Sequence, residues 1–372
     1  MSSTKIVIAI NASWNIINFR RGLIRALQGA GYQVIALAPE DEYSARFDEL
    51  GVEFRPIEID KQGVSPFRDA QLLARYHRVL REIRPAAFLG YTAKPNIYGS
   101  LAAHALGIPV INNVAGLGTA FIKEGLLTRI VSGLYRLAFR QSSTVFFQNR
   151  DDLDMFVEAG IVRPEQAKLL PGSGINLSDF TPAPLRRDGP FTFLLIARLL
   201  WDKGVREYVE AARLVRAEAP DSRFQLLGFL DVPNRTAVAR SDVDAWVTEG
   251  LIDYLGSSDD VRPFIADADC VVLPSYREGL PRVLLEGGAM ARPLIATDVP
   301  GCRQVVDEGR NGFLCTARDP ASLAGALLRM LHLPREQRRA MGGAARAKVE
   351  AEYDERIAVG RYLDALRDAL GG

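Results

Sequence analysis

Short apolar runs separated by amphipathic stretches set the rhythm of this chain. Ile6–Ile10 is a continuous apolar run of strand length, the pattern of a strand buried on both faces of a parallel sheet. Asn11–Asn18 reads as a polar, aromatic loop, Phe19–Gly29 as an amphipathic helix stopped at Gly31, and Val34–Ala38 as the next strand. Strand, helix and strand in succession form a parallel crossover unit. The alternation continues with strands at Phe54–Ile57, Ala87–Leu89, Pro109–Asn112, Thr144–Gln148 and Lys168–Leu170. Helical patterns over Phe67–Ile83, Ile97–Leu106, Leu126–Arg140 and Asp151–Ala159 separate them.

Thr181-Pro-Ala-Pro-Leu-Arg-Arg-Asp-Gly-Pro190, rich in proline and charge, breaks the series and reads as a linker. A second series follows, with strands at Phe193–Ala197, Phe224–Leu227, Ile252–Leu255, Cys270–Leu273, Leu294–Thr297 and Gly312–Cys315. Helices over Val205–Ala217, Val238–Glu249, Val261–Ala266, Val283–Ala291 and Pro320–Leu331 join them, and from Arg335 the chain is mostly helical. The expected fold class is therefore α/β, with two Rossmann-like, doubly wound parallel-sheet domains facing one cleft. The expected boundaries are 1–178 and 179–352, with a C-terminal helix over about 353–372 packing back on the first domain.

Composition narrows the function classes. The chain has 372 residues, enough for two domains, and 46 basic residues against 45 acidic ones, which argues against a nucleic-acid partner. Three cysteines without Cys-x-x-Cys spacing and three histidines fit a reducing compartment and no metal site. The apolar run Lys5-Ile-Val-Ile-Ala-Ile10 is too short for a signal peptide or a membrane span, so a cytoplasmic location is expected.

The chemistry concentrates at the carboxyl ends of strands, where open α/β sheets bind ligands. Pro274-Ser-Tyr-Arg-Glu-Gly-Leu-Pro-Arg-Val-Leu-Leu-Glu286 leads from a strand through a tight turn into a helix. A helix N-terminus of this kind attracts anions through its free N–H groups and its dipole. Glu278 sits in the turn and Glu286 about one helical turn in, placed to grip hydroxyl groups. Arg198 and Lys203, just before Gly204, follow the first strand of the second series and can neutralise a diphosphate. Taken singly, each of these residues reads better as an ordinary surface charge. Together they suit a nucleotide-sugar site. In the first series, Asn11–Asn18 lies at the carboxyl end of the first strand, and no Gly-x-Gly-x-x-Gly dinucleotide fingerprint is present.

The second half resembles the retaining glycosyltransferases of family 4, which have the GT-B fold. The resemblance rests on Glu278-x7-Glu286, Arg198-x4-Lys203-Gly204, Ala268-Asp-Cys-Val-Val-Leu-Pro-Ser275 and Pro300-Gly-Cys-Arg-Gln-Val-Val-Asp-Glu-Gly-Arg-Asn-Gly-Phe313. In the first half, Tyr91-Thr-Ala-Lys-Pro-Asn-Ile-Tyr-Gly99, Asn113-Val-Ala-Gly-Leu-Gly118 and Pro171-Gly-Ser-Gly-Ile-Asn176 are similar to a narrower group. That group comprises bacterial transferases extending polyprenyl-diphosphate-linked sugars: N-acetylgalactosaminyltransferases of N-glycan assembly and relatives in capsule and O-antigen pathways.

The resemblance implies that Arg198 and Lys203 grip the donor diphosphate and Glu278 holds donor sugar hydroxyls. It further implies that Gly279, Leu280 and Val283 lie near sugar and phosphate, and that Glu286 holds the ribose. Asn18, Lys94, Gly116 and Gly118 would face the acceptor side. Many relatives place a histidine where this chain has Thr92-Ala-Lys94. Lys94 is expected to take an electrostatic role there, on a phosphate of donor or acceptor, with a plain surface lysine before Pro95 as the other reading. The implied reaction is metal-independent, retaining transfer of a hexose or N-acetylhexosamine from a UDP-sugar to a polyprenyl-diphosphate-linked sugar. A GDP-linked donor, a UDP-N-acetylglucosamine 2-epimerase on the same fold and a non-catalytic sugar-nucleotide binder stand as alternatives.

A lipid-linked acceptor also implies an anionic membrane surface as partner, with the protein peripheral at the inner face of the plasma membrane. Two stretches fit. Lys61–Lys94 carries seven Lys/Arg against two acids, and Leu126–Arg140 mixes apolar residues with three arginines.

Overall fold

The computed structural model describes residues 4–60, 65–116, 126–185, 188–231, 234 and 236–371. The chain divides into two compact units, Met1–Ser173 with Glu355–Gly372, and Gly174–Asp354. The expected boundaries, 178/179 and 352/353, differ from these by a few residues.

The first unit is built on a seven-stranded, all-parallel sheet. Its strands are β1 Lys5–Ala9, β2 Gln33–Ala38, β3 Glu53–Pro56, β4 Ala87–Tyr91, β5 Val110–Val114, β6 Thr144–Phe147 and β7 Ala167–Leu169, in the order β3-β2-β1-β4-β5-β6-β7. Side-chain alternation feeds two cores. Ile6 and Ile8 pack on one face with Ile24, Tyr91 and Tyr362, and Val7 and Ala9 on the other with Tyr76 and Leu80. That is why β1 is apolar at every position from Ile6 onward. The helix Glu355–Leu370 returns to the first face and buries Ala358, Tyr362, Ala365 and Leu366 there. Those four positions share one face of a 3.6-residue period.

The stretch Asn11–Asn18 is not the expected loop: Ser13–Phe19 is a helix. Ile16 and Ile17 are fully buried, and Asp41 accepts from the N–H of Ser13 at 3.0 Å, satisfying the first turn from outside the segment. Burial of two isoleucines and a distant cap outweigh the polar composition.

The second unit carries a six-stranded parallel sheet. Its strands are β8 Thr192–Ile196, β9 Arg223–Leu227, β10 Asp253–Tyr254, β11 Cys270–Leu273, β12 Leu294–Thr297 and β13 Gly312–Cys315, in the order β10-β9-β8-β11-β12-β13. Arg292 is fully buried and donates to four main-chain carbonyls, those of Ile265, Ala183, Pro184 and Ala266, which fastens the proline-rich segment to this unit. In each sheet the strand order reverses once, between β1 and β4 in the first and between β8 and β11 in the second. Loops leaving the carboxyl ends on either side of such a reversal splay apart and open a crevice.

Candidate active site

In the second unit the loop after β8 and the loop after β11 meet at this reversal. Trp201–Lys203 forms one turn of 3-10 helix, closed by Gly204 at φ 73. A Cβ on Gly204 would stand 2.0 Å from the Pro274 carbonyl oxygen, so only glycine permits this approach. The N–H of Tyr276 donates to the Asp202 carbonyl at 2.9 Å, which locks the two loops together. Lys203 Nζ lies 2.5 Å from Glu278 Oε1, with only 21% and 13% of the two side chains exposed. Two residues separated by 75 positions are thus in direct contact.

A third loop supports the Glu278 turn. The Glu278 N–H donates to the Pro300 carbonyl at 3.3 Å. Gly301, at φ 83, lies beneath, where a Cβ would come within 2.7 Å of the Glu278 and Gly279 carbonyl oxygens. Arg198 follows β8 directly and is exposed, and its guanidinium pairs with no described residue.

The helix after the turn runs from Arg282 to Ala289 with Pro281 as its N-cap. No side chain caps its first turn and no acid lies in it, so the helix presents a positive end to the loops carrying Arg198 and Lys203. Gly279 is buried beneath this turn, and Leu280 and Val283 are half-buried against the core. Glu286 is buried one turn in and accepts from Arg282 Nε at 2.8 Å. Desolvation raises its pKa above the ordinary glutamate value, and Arg282 opposes that rise. Arg282 also donates to the Gly174 carbonyl at 3.0 Å. The structure therefore joins Lys203 to Glu278 and holds Glu286 separately on Arg282.

The remaining residues singled out in the sequence belong to the first unit. Lys94 follows β4 and pairs with the buried Asp69 at 2.8 Å. Asn18 donates through Nδ2 to the Trp14 carbonyl at 2.9 Å within its own helix. Gly116 is exposed just after β5, at φ 139. Gly118 lies outside the described residues. Two site residues escaped the sequence reading. Arg282 had a usable signal, the i,i+4 spacing to Glu286 on one helix face. Asp69 had none, because it stands 25 positions from its partner.

Similarity to known proteins follows both halves of this architecture. Residues 190–332 match the family described as glycosyl transferases group 1, and residues 17–172 match the glycosyl transferase 4-like domain. The chain belongs to these glycosyltransferases. As a transferase of the GT-B fold it is 27% identical to a Campylobacter jejuni N,N'-diacetylbacillosaminyl-diphospho-undecaprenol alpha-1,3-N-acetylgalactosaminyltransferase, across 95% of this chain and 96% of that one. It is 24% identical to an Escherichia coli UDP-Gal:alpha-D-GlcNAc-diphosphoundecaprenol alpha-1,3-galactosyltransferase, across 72% of each. Among solved structures, Anabaena HepE in complex with UDP-glucose superposes with a TM-score of 0.79 at 18% identity, covering 97% of this chain and 99% of that one. The Thermosynechococcus elongatus sucrose-phosphate synthase gives a TM-score of 0.80 at 17% identity and 99% coverage of both chains. Among the described residues no helix is long and apolar enough to cross a membrane, and no group of three or more His, Cys, Asp or Glu could hold a metal ion.

Proposed function

We propose that this transferase moves a hexose or N-acetylhexosamine from a UDP-sugar to a polyprenyl-diphosphate-linked sugar, with retention of anomeric configuration. The observation that carries the reading is the contact between Lys203 and Glu278 across the β8 and β11 loops; Arg198, exposed on the β8 loop, adds a second cation. A nucleotide sugar has a dianionic diphosphate next to a neutral, hydroxyl-rich ring. A cation and a carboxylate in direct contact match that succession.

In this reading Arg198 and Lys203 bind the diphosphate, and the N–H groups at the start of the helix Arg282–Ala289 add to their field. The same groups stabilise the charge that grows on the leaving nucleoside diphosphate. Once Lys203 is drawn to phosphate, Glu278 accepts from donor sugar hydroxyls. Glu286, ionised and oriented by Arg282, accepts from the ribose. The acceptor hydroxyl attacks on the face the leaving group departs from, and the leaving phosphate takes the proton. The undecaprenyl-diphosphate substrates of the relatives named above support the acceptor class.

The same reading places the protein at an anionic membrane surface. Support comes from the helix Leu126–Phe139, where Ile130 and Leu137 are 47% and 56% exposed beside the exposed Arg129. Arg136 on this helix is already engaged, donating to the Ala159 and Gly160 carbonyls.

Thermal-shift profiling against UDP, GDP and their sugars tests the donor assignment. UDP should raise the melting temperature of the wild type and not of Lys203→Ala; an equal shift in both sinks the phosphate assignment. UDP release that depends on a polyprenyl-diphosphate sugar marks transfer, and isomerisation of the donor without acceptor overturns it.

A further inference from the structure

The loops that carry Lys203 and Glu278 are joined a second time within the second unit. The Tyr276 hydroxyl donates to Glu207 Oε1 at 2.8 Å, across 69 positions. Glu207 stands in the first turn of the helix Val205–Glu218, four residues after Lys203, and Tyr276 stands two residues before Glu278. The two contacts are successive rungs between the same two segments. We propose that Glu207 and Tyr276 are positioning residues, which hold the Glu278 turn in place against the Lys203 loop while a bound donor engages Lys203. The proposal rests on the donor reading above and deepens it, by naming what fixes Glu278 once its own contact has opened.

In the empty site Lys203 Nζ and Glu278 Oε1 hold each other. A diphosphate competes for the same ammonium, and a carboxylate released from its cation loses its anchor. The second rung contains no group that the donor claims. Its acceptor, Glu207, is only 6% exposed. Its donor is a phenol whose pKa burial, and then the bond to Glu207, push up to about 12, so the proton stays on the Tyr276 oxygen at neutral pH.

The chemistry of this rung is specific. Glu207 brings a carboxylate into the interior opposite a neutral phenol, and its Oε2 is buried with no hydrogen-bond partner among the described residues. The uncapped N-terminus of its own helix offsets part of that penalty. Two apolar side chains would join the loops without any such penalty. They would set a separation but no direction, whereas a hydroxyl donating to one carboxylate oxygen sets both.

Tyr276 is held by three further contacts. Its N–H donates to the Asp202 carbonyl at 2.9 Å. The carbonyl of the preceding Ser275 accepts from the Thr297 hydroxyl at the end of β12. The Arg318 guanidinium stacks over the ring, 4.6 Å from its centroid. Arg318 belongs to the loop after β13 and sits at φ 61, a conformation rare for a residue with a side chain. Loops after β8, β11 and β13 thus converge on one aromatic ring, and Glu278 follows it by two residues.

Calorimetric titration of the full chain tests the proposal, with UDP and with UDP-glucose, UDP-galactose, UDP-N-acetylglucosamine and UDP-N-acetylgalactosamine as probes. Tyr276→Phe keeps the ring and removes the bond. It should weaken the tightest-binding UDP-sugar about tenfold and change UDP binding by no more than about twofold, the same split as Glu278→Ala. Glu207→Gln keeps an oxygen facing the hydroxyl and should bind both ligands like the wild type. Either Tyr276→Phe or Glu207→Leu leaves a buried polar group unpaired and lowers the melting temperature. The double variant Glu207→Leu with Tyr276→Phe leaves none, so it should melt near the wild type and still lose sugar affinity. Equal weakening of UDP and UDP-sugar, or wild-type sugar affinity in the double variant, overturns the proposal and assigns the pair to stability alone. A failed donor reading shows up separately, as UDP binding that survives Lys203→Ala, and takes the proposal with it.

Discussion

The two sheets reverse strand order in the same way, yet the cations at their carboxyl edges are engaged differently. After β8 and β11 stand four cations, Arg198, Lys203, Arg277 and Arg282, and three carboxylates, Asp202, Glu278 and Glu286; Arg198 pairs with no described residue, and a helix N-terminus adds positive field. At the carboxyl edge of the first sheet, among the described residues, Arg68, Arg75 and Lys94 are each paired, with Asp60, Glu58 and Asp69. One edge has positive charge to give to a ligand; the other has spent it internally. A shared fold therefore sets where a ligand goes, and the charge left over after internal pairing sets what the ligand is.

The largest test of that contrast substitutes the corresponding lysines. Lys203→Ala should reduce turnover by about 10²–10³, as for removal of a main charge-stabilising group, and remove UDP binding. Lys94→Met should leave the UDP-induced thermal shift intact. Equal loss in both would erase the distinction between the edges.

A smaller effect is expected at Gly204→Ala, which drives a Cβ toward the Pro274 carbonyl at a positive φ. A loss of about 3 kcal/mol, roughly 6–12 °C in the melting of the second unit, should accompany weaker UDP binding. Melting of the first unit should be unchanged. Calorimetry with and without UDP reads both.

The smallest effect concerns Glu286 and pH. Burial raises its pKa in the folded chain, so the ionised form is the disfavoured one there. Its contribution to stability is full below the unfolded carboxyl value of about 4.3 and is lost as pH rises through the raised folded value. Donor binding needs the ionised form and should weaken as pH falls through that same value. Glu286→Gln should therefore melt slightly higher than wild type at pH 8, by about 2 °C, while binding UDP less tightly. A variant that melts lower at pH 8 would show that the pair with Arg282 outweighs the burial.

What the sequence made legible follows from the range of each interaction. Glu278, Glu286, Arg198 and Lys203 could be singled out because turn residues and apolar runs mark strand ends locally. The helix Ser13–Phe19 could not, since its seven residues are too few to show a period and its cap, Asp41, comes from beyond the next strand. Strand order was equally hidden, being set by pairings between distant runs. So was the partner of Lys94, because a buried pair between β4 and the first turn of the helix Pro66–Ile83 leaves no mark in either segment. Tyr362 illustrates the extreme: its hydroxyl accepts from Asn113 Nδ2 at 2.8 Å across 249 positions.

That last contact bears on the order in which the chain becomes a protein. Strands β8 to β13 and their helices all leave the ribosome before the helix Glu355–Leu370, which supplies Tyr362 and Leu366 to the first unit's core. Synthesis usually lets the leading domain finish first. Here the trailing unit closes while the leading one still shows an open apolar face. Cutting the chain after Ser173 would yield not a small stable domain but a sticky fragment, because the first unit is split in the sequence around the second.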